Sequence, residues 1–144
     1  MVVIAMFGSR HGYDPSKIRS VLLKLKQRFG DRLTIHVGDC KGVDETVYRL
    51  CKHLNIKVRV FMVANNPIGY RPDPKDIFNV LDEPDWPLRL RLATRTFRLL
   101  YYTKLHNGGF IGFNVSGRGS RLMLRYIKDS YPSQELKKRL IVFD

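Results

Sequence analysis

The residues best suited to chemistry sit in three short glycine-bearing loops. Residues 113–128 read FNVSGRGSRLMLRYIK, an apolar stretch running into a Ser/Gly/Arg turn. Leu122, Met123, Tyr126 and Ile127 then recur at helical spacing. A strand, a glycine turn and a helix start together hold anions, because unpaired N–H groups and the positive end of the helix dipole aim at one spot. Gly117 and Gly119 let a ligand approach the backbone with no Cβ in the way. Ser120 can cap the helix or donate to an oxygen, and Arg118 and Arg121 add charge. Alone, the motif reads equally as a plain strand-to-helix turn. The chain makes the construction twice more, as GSRHG at residues 8–12 and GDCKGVD at residues 38–44.

Within these loops, Arg10 follows a strand end and reads as a ligand-facing arginine or a surface charge. Lys41, between glycines, suits a phosphate point charge. Asp44 reads as a helix N-cap or, in a functional role, as a ribose ligand. Asp39 reads as a loop residue bonded to backbone N–H groups, with a general base or metal ligand as the alternative. His36 is expected to be a satisfied core histidine, and His11 stands beside the first loop. Ser9 and Ser120 have no His/Asp pair at a readable spacing, which argues against a hydrolase triad.

The elements that must position these loops follow from the hydropathy pattern. Residues 2–7 (VVIAMF) form a continuous apolar run, as a central parallel strand covered on both faces requires. Asp14 and Pro15 signal a helix start, Ile18, Val21, Leu22, Leu25 and Phe29 give its apolar face, and Gly30 stops it. Strands are expected at residues 33–37, 58–63, 109–115 and 140–143. Helices are expected after Asp44, carrying Val47, Leu50, Cys51 and Leu54, and over 88–104, with Ala93, Phe97, Leu100 and Tyr101 on one face. Residues 64–86, with Pro67, Pro72, Pro74 and Pro84, read as an irregular crossover. Alternating β and α predict a three-layer α/β/α Rossmann-like sandwich around a mostly parallel sheet of about five strands, one domain over residues 1–144. In such sheets ligands sit beyond the strand carboxyl ends, where strand order reverses.

The chain has 144 residues, 44% of them hydrophobic, and a formal charge of +13. That length suits one core, and the charge favours polyanionic partners such as nucleotides or nucleic acid. No apolar run approaches a membrane span, and residues 2–7 lack the basic flank of a signal peptide, so a cytoplasmic protein with no membrane partner is expected. Cys40 and Cys51 show no metal-ligand spacing, so free thiols and no metal site are expected.

Gly8-Ser9-Arg10, then Gly38-Asp39-Cys40-Lys41-Gly42-Val43-Asp44, then Arg118-Gly119-Ser120 resemble, in order and spacing, the motifs of the SLOG superfamily. This Rossmann-like group includes the LOG phosphoribohydrolases and the DNA-processing protein A fold; the similarity is to its small single-domain branch. The resemblance implies a pocket for a nucleotide or nucleotide-derived ligand, and no cofactor is assigned besides it. Its lining would be Gly8, Ser9, Arg10, Gly38, Lys41, Gly42, Asp44, Arg98, Gly117, Arg118, Gly119 and Ser120. Asp39 departs from the usual glycine, and a carboxylate beside a phosphate is repulsive unless something intervenes. Met123 stands where the LOG enzymes carry a glutamate, which argues against N-glycosidic cleavage.

The expectation is therefore a nucleotide-binding module, a sensor rather than an enzyme. A hydrolase on the same site, with Asp39 and Asp44 as acid–base groups, is one alternative. A nucleic-acid-binding protein using Arg89, Arg91, Arg95, Lys137, Lys138 and Arg139 is another. Apolar and aromatic residues on the third helix fit a homodimer, as in LOG relatives.

Overall fold

The computed structural model describes all residues, Met1–Asp144. Six strands form one all-parallel sheet: β1 (Val2–Gly8), β2 (Leu33–Val37), β3 (Lys57–Val63), β4 (Ile77–Leu81), β5 (Gly109–Phe113) and β6 (Leu140–Phe143). Their spatial order is β4-β3-β2-β1-β5-β6. The five helices are α1 (Pro15–Phe29), α2 (Val43–His53), α3 (Leu88–Leu105), α4 (Arg118–Ser130) and α5 (Ser133–Arg139).

The period-2 alternation of each strand feeds two cores. Ile4 and Met6 of β1 join Leu33, Ile35, Val37, Val58 and Val60 in one cluster, with Ile18 and Leu22 of α1 and Val43, Val47 and Cys51 of α2. Ala5 and Phe7 point the other way, to Phe61, Phe110, Leu99 and Leu100 of α3, and Met123 and Ile127 of α4. Both faces of β1 are thus covered, which is why its sequence is apolar without alternation.

Three expectations need correction. The sheet has six strands rather than about five, because β4 lies inside the proline-rich residues 64–86. Its residues IFNVL alternate weakly in burial, as an edge strand's do, so the surrounding prolines hid it. The second helix starts at Val43, with Gly42 as its N-cap, so Asp44 does not cap it. On α3 the buried residues are Arg95, Thr96, Leu99, Leu100 and Thr103, while Phe97 and Tyr101 are exposed. Polar residues turn inward there because partners await them: Arg95 Nη1 donates to Asp39 Oδ1 (2.9 Å), and Thr103 Oγ1 lies 2.9 Å from His36 Nδ1. His36 is a core residue as expected, but its Nε2 has no partner.

The elements predicted from helix signals are otherwise in place. Asp14 accepts from Ser16 N at 3.0 Å, Pro15 opens α1, and Gly30 ends it at φ 55°.

Candidate anion-binding site

β1 and β5 are neighbours at the centre of the sheet, yet the chain leaves them for opposite faces, to α1 and α4. In open parallel sheets such a reversal, beyond the strand carboxyl ends, is where ligands are taken. The loop after β2 borders it, and the three glycine turns are physically joined there. Val43 N donates to Ser9 O at 3.1 Å, tying the second turn to the first. Ser9 Oγ donates to Asn114 O and accepts from Ser116 N at 3.1 Å, tying the first turn to the third. Asn114 Nδ2 donates to His11 O at 2.9 Å. Two glycines are demanded by this closeness. A Cβ on Gly8 would run into Phe113 O, and one on Gly42, held at φ 102°, would run into Arg10 Cα.

The turns are not equivalent as anion donors. In the second turn the amides serve the protein itself: Cys40 N donates to Asp44 Oδ2 (3.2 Å) and Lys41 N to Ile68 O (2.9 Å). The first turn of α2 also carries Asp44 and Glu45, whose carboxylates answer its own dipole. The first turn of α4 has no acidic residue. No protein group accepts from the N–H of Arg118, Gly119 or Ser120, while Ser120 Oγ donates back to Gly117 O at 3.1 Å. A Cβ on Gly119 would meet nothing within 4 Å, so protein packing does not require this glycine. Arg10, Lys41, Arg118 and Arg121 are exposed and form no ion pair. The concentrated donor set is therefore the start of α4, whose own Arg118 and Arg121 are exposed and unpaired.

Asp39 is fully buried and faces inward. Its Oδ2 accepts from Val63 N and Asn66 Nδ2, both at 3.1 Å, and its Oδ1 takes the Arg95 guanidinium. Asp39 is thus ion-paired and hydrogen-bonded within the protein, which offsets its charge toward a phosphate. Asp44 is also buried, 3.7 Å from Arg95 Nη1. Burial pushes its carboxyl up to about 6, against the pull of Arg95. Gly38 is glycine because a Cβ would crowd Arg95 Nη1 (2.5 Å) and Asp44 Oδ2 (2.6 Å). Tyr70 closes the loop by donating to Gly38 O at 2.7 Å.

Arg98 lies away from these turns, donating to Asn79 Oδ1 of the edge strand β4 at 3.1 Å. From the same helix it is Arg95 that reaches the second turn. The patch of Arg89, Arg91, Arg95, Lys137, Lys138 and Arg139 is not one surface. Arg95 is 9% exposed and ion-paired. Arg91 donates to the Trp86 and Ala64 carbonyls near the strand carboxyl ends, whereas Arg139 binds Glu135 and the Asn107 carbonyl at the opposite end of the sheet. No group of three or more His, Cys, Asp or Glu side chains is placed to hold a metal.

Asn66, Asn114 and Ser116 were not singled out from the sequence. Ser116 was visible in the SGRGS run; Asn66 was not, because its partner Asp39 lies 27 residues away in the chain.

Comparison of the sequence with family models and with characterised proteins gives no match. The fold is similar to the X-ray structure of DNA processing protein A (DprA) from Streptococcus pneumoniae, at a TM-score of 0.66 and 17% identity. The match covers 99% of this chain and 50% of that one, so the chain spans half the length of that neighbour. At this identity the likeness establishes the Rossmann-like α/β fold alone.

Proposed function

We propose that the chain binds a nucleotide or nucleotide-derived ligand through its phosphate at the start of α4, as a sensor rather than an enzyme. The observation that carries this reading is the set of acceptor-free amides at Arg118, Gly119 and Ser120, on three joined turns that also bear the exposed, unpaired Arg10, Lys41 and Arg118, with Arg121 one residue beyond Ser120. Backbone N–H groups at a helix start, with cations around them, match the tetrahedral oxygens of a phosphate. Binding without turnover is favoured because Asp39 is consumed by protein partners, and because Met123 is packed in the core at 2% exposure.

Differential scanning fluorimetry against a panel of nucleotides tests the proposal. At a ligand concentration a hundred times Kd, binding adds about 2.7 kcal/mol of stability. Arg118→Ala is expected to diminish that shift. A panel in which no nucleotide moves the transition overturns the reading. Incubation with nucleoside monophosphates and dinucleotides tests the hydrolase alternative, for which released base or phosphate is the required outcome. The neighbour's name concerns DNA, and with a charge of +13 nucleic acid is a second reading.

A further inference from the structure

The α3 face of the sheet is not covered along its whole length. Register pairs Thr34 with Lys57 and His36 with Arg59, so these four side chains share that face. α3 ends at Leu105, where the His106 ring comes within 6.3 Å of the His36 ring, centre to centre. Toward the strand amino-terminal ends lies a cleft of about 510 Å³, lined by Arg32, Thr34, Lys57, Arg59 and Lys75 among others, with Asp31 as its one carboxylate. Arg32, Lys57 and Arg59 form no ion pair, and Lys75 has only an exposed contact with Asp73 at 3.8 Å. Thr34 is 4% exposed, and its hydroxyl, in the cleft wall, bonds to no protein group. Arg59 is held in place: its guanidinium sits 4.7 Å from the Phe78 ring centre, and Phe78 itself stacks on His36 and packs on Phe61 and Tyr102.

We propose that this cleft binds a condensed phosphate, a short chain of linked phosphoryl groups. Its cations come from just before β2 (Arg32), from β3 (Lys57 and Arg59) and from two residues before β4 (Lys75). Neighbouring strands lie about 4.8 Å apart, so the set spans about 10 Å, more than one phosphate group reaches. Linked phosphoryl groups bring negative charge to each cation in turn. The fixed Arg59 fork suits paired phosphate oxygens, and the Thr34 hydroxyl supplies a further donor. The cleft offers nothing to a base. Two of its eight lining residues are apolar, and the Phe78 ring is already taken by Arg59. That favours a compact, wholly polar anion over a nucleic-acid strand, which would call for a free stacking face. The glycine turns sit at the other end of the same parallel strands, so this cleft stands or falls independently of the nucleotide site.

Isothermal titration calorimetry with sodium tripolyphosphate and the full chain tests this. One equivalent is expected to bind at the cleft. Lys57→Gln and Lys75→Gln, both exposed, should each weaken that binding about tenfold. Thr34→Val keeps the side-chain shape and should weaken it about fivefold. Melting temperatures are measured alongside, and the lysine variants carry the test if Thr34→Val is destabilised. The titration is repeated in Gly119→Ala, which disables the α4 turn, so any tripolyphosphate held there drops out and the two sites are read separately. In that variant ATP, which carries the same three linked phosphoryl groups, tells a free condensed phosphate from a nucleotide-borne one. Citrate or sulfate binding as tightly as tripolyphosphate overturns the proposal, since charge alone would then suffice. Parent affinity in the Lys57→Gln, Lys75→Gln double variant also overturns it. So does oligothymidylate that displaces tripolyphosphate as well as pyrophosphate does at equal phosphate, since an extended strand would then occupy the cleft.

Discussion

At the scale of single residues, the glycines divide into those the protein needs and one it does not. Gly42 is held at φ 102° against Arg10, so Gly42→Ala should cost about 2 kcal/mol or more in chemical denaturation. Gly119 meets nothing, and it occupies a helical position where alanine is favoured by about 0.5–1 kcal/mol. Gly119→Ala should therefore leave the melting temperature unchanged or raised, yet abolish the nucleotide-induced shift if a phosphate sits on that backbone. Retained binding in this variant would move the ligand off the α4 turn. Arg95 is the converse case. Truncating it leaves the buried Asp39 carboxylate without its counter-charge, and Arg95→Ala should cost about 3–5 kcal/mol. Two titrating side chains oppose each other in acid. Asp44 has a folded value of about 6, above its unfolded value, so the folded state binds the extra proton and stability falls as pH rises from about 4 to about 6. His36 is depressed to about 3 by burial, with Arg59 and His106 adding to it. There the unfolded state binds the extra proton, and stability is lost as pH falls from about 6.5 toward 3. Asp44→Asn removes one side of this balance. Its stability relative to the parent should rise by on the order of 1–3 kcal/mol between pH 4 and pH 6, read from denaturation curves.

At the scale of elements, the second turn is held by the chain that follows β3. Lys41 N donates to Ile68 O and Tyr70 N to Asp39 O, while Asn66 reaches Asp39 from the same segment. The proline-rich residues therefore serve as a clamp that fixes the floor of the site, and then supply the edge strand β4. Tyr70→Phe removes the bond to Gly38 O and should cost about 1 kcal/mol with the fold intact, measured by urea denaturation. The contrast between α2 and α4 also belongs here. Both helices begin at a glycine turn, but α2 answers its dipole with its own carboxylates and α4 does not.

At the scale of the whole molecule, α3 presents Leu90, Phe97, Tyr101 and Leu105 to solvent, each about half exposed or more. Phe97, Tyr101 and Leu105 recur every four residues and make one stripe. The homodimer proposed from the sequence would cover this stripe with that of a second copy. Light scattering should then report a dimer that Phe97→Glu converts to a monomer. A monomeric parent chain would remove the proposal. No helix is long and apolar enough to cross a membrane.

The sequence by itself determined the local choices. The apolar run of β1, the Asp14-Pro15 start of α1, the stop at Gly30 and the glycine turns each follow from neighbours in the chain, where periodicity and backbone preference operate. It also placed the Gly8, Gly42 and Gly119 turns at strand ends, which in a parallel sheet means one edge. Tertiary structure decided the rest, because those outcomes turn on partners far apart in sequence. Arg95 rather than Arg98 reaches the second turn because a buried carboxylate is available to it there, and Phe97 is left outside by the same rotation of α3. Whether an amide is open or consumed is likewise a property of the assembled fold: Lys41 N and Arg118 N look alike in the chain, and only the packing of Ile68 distinguishes them.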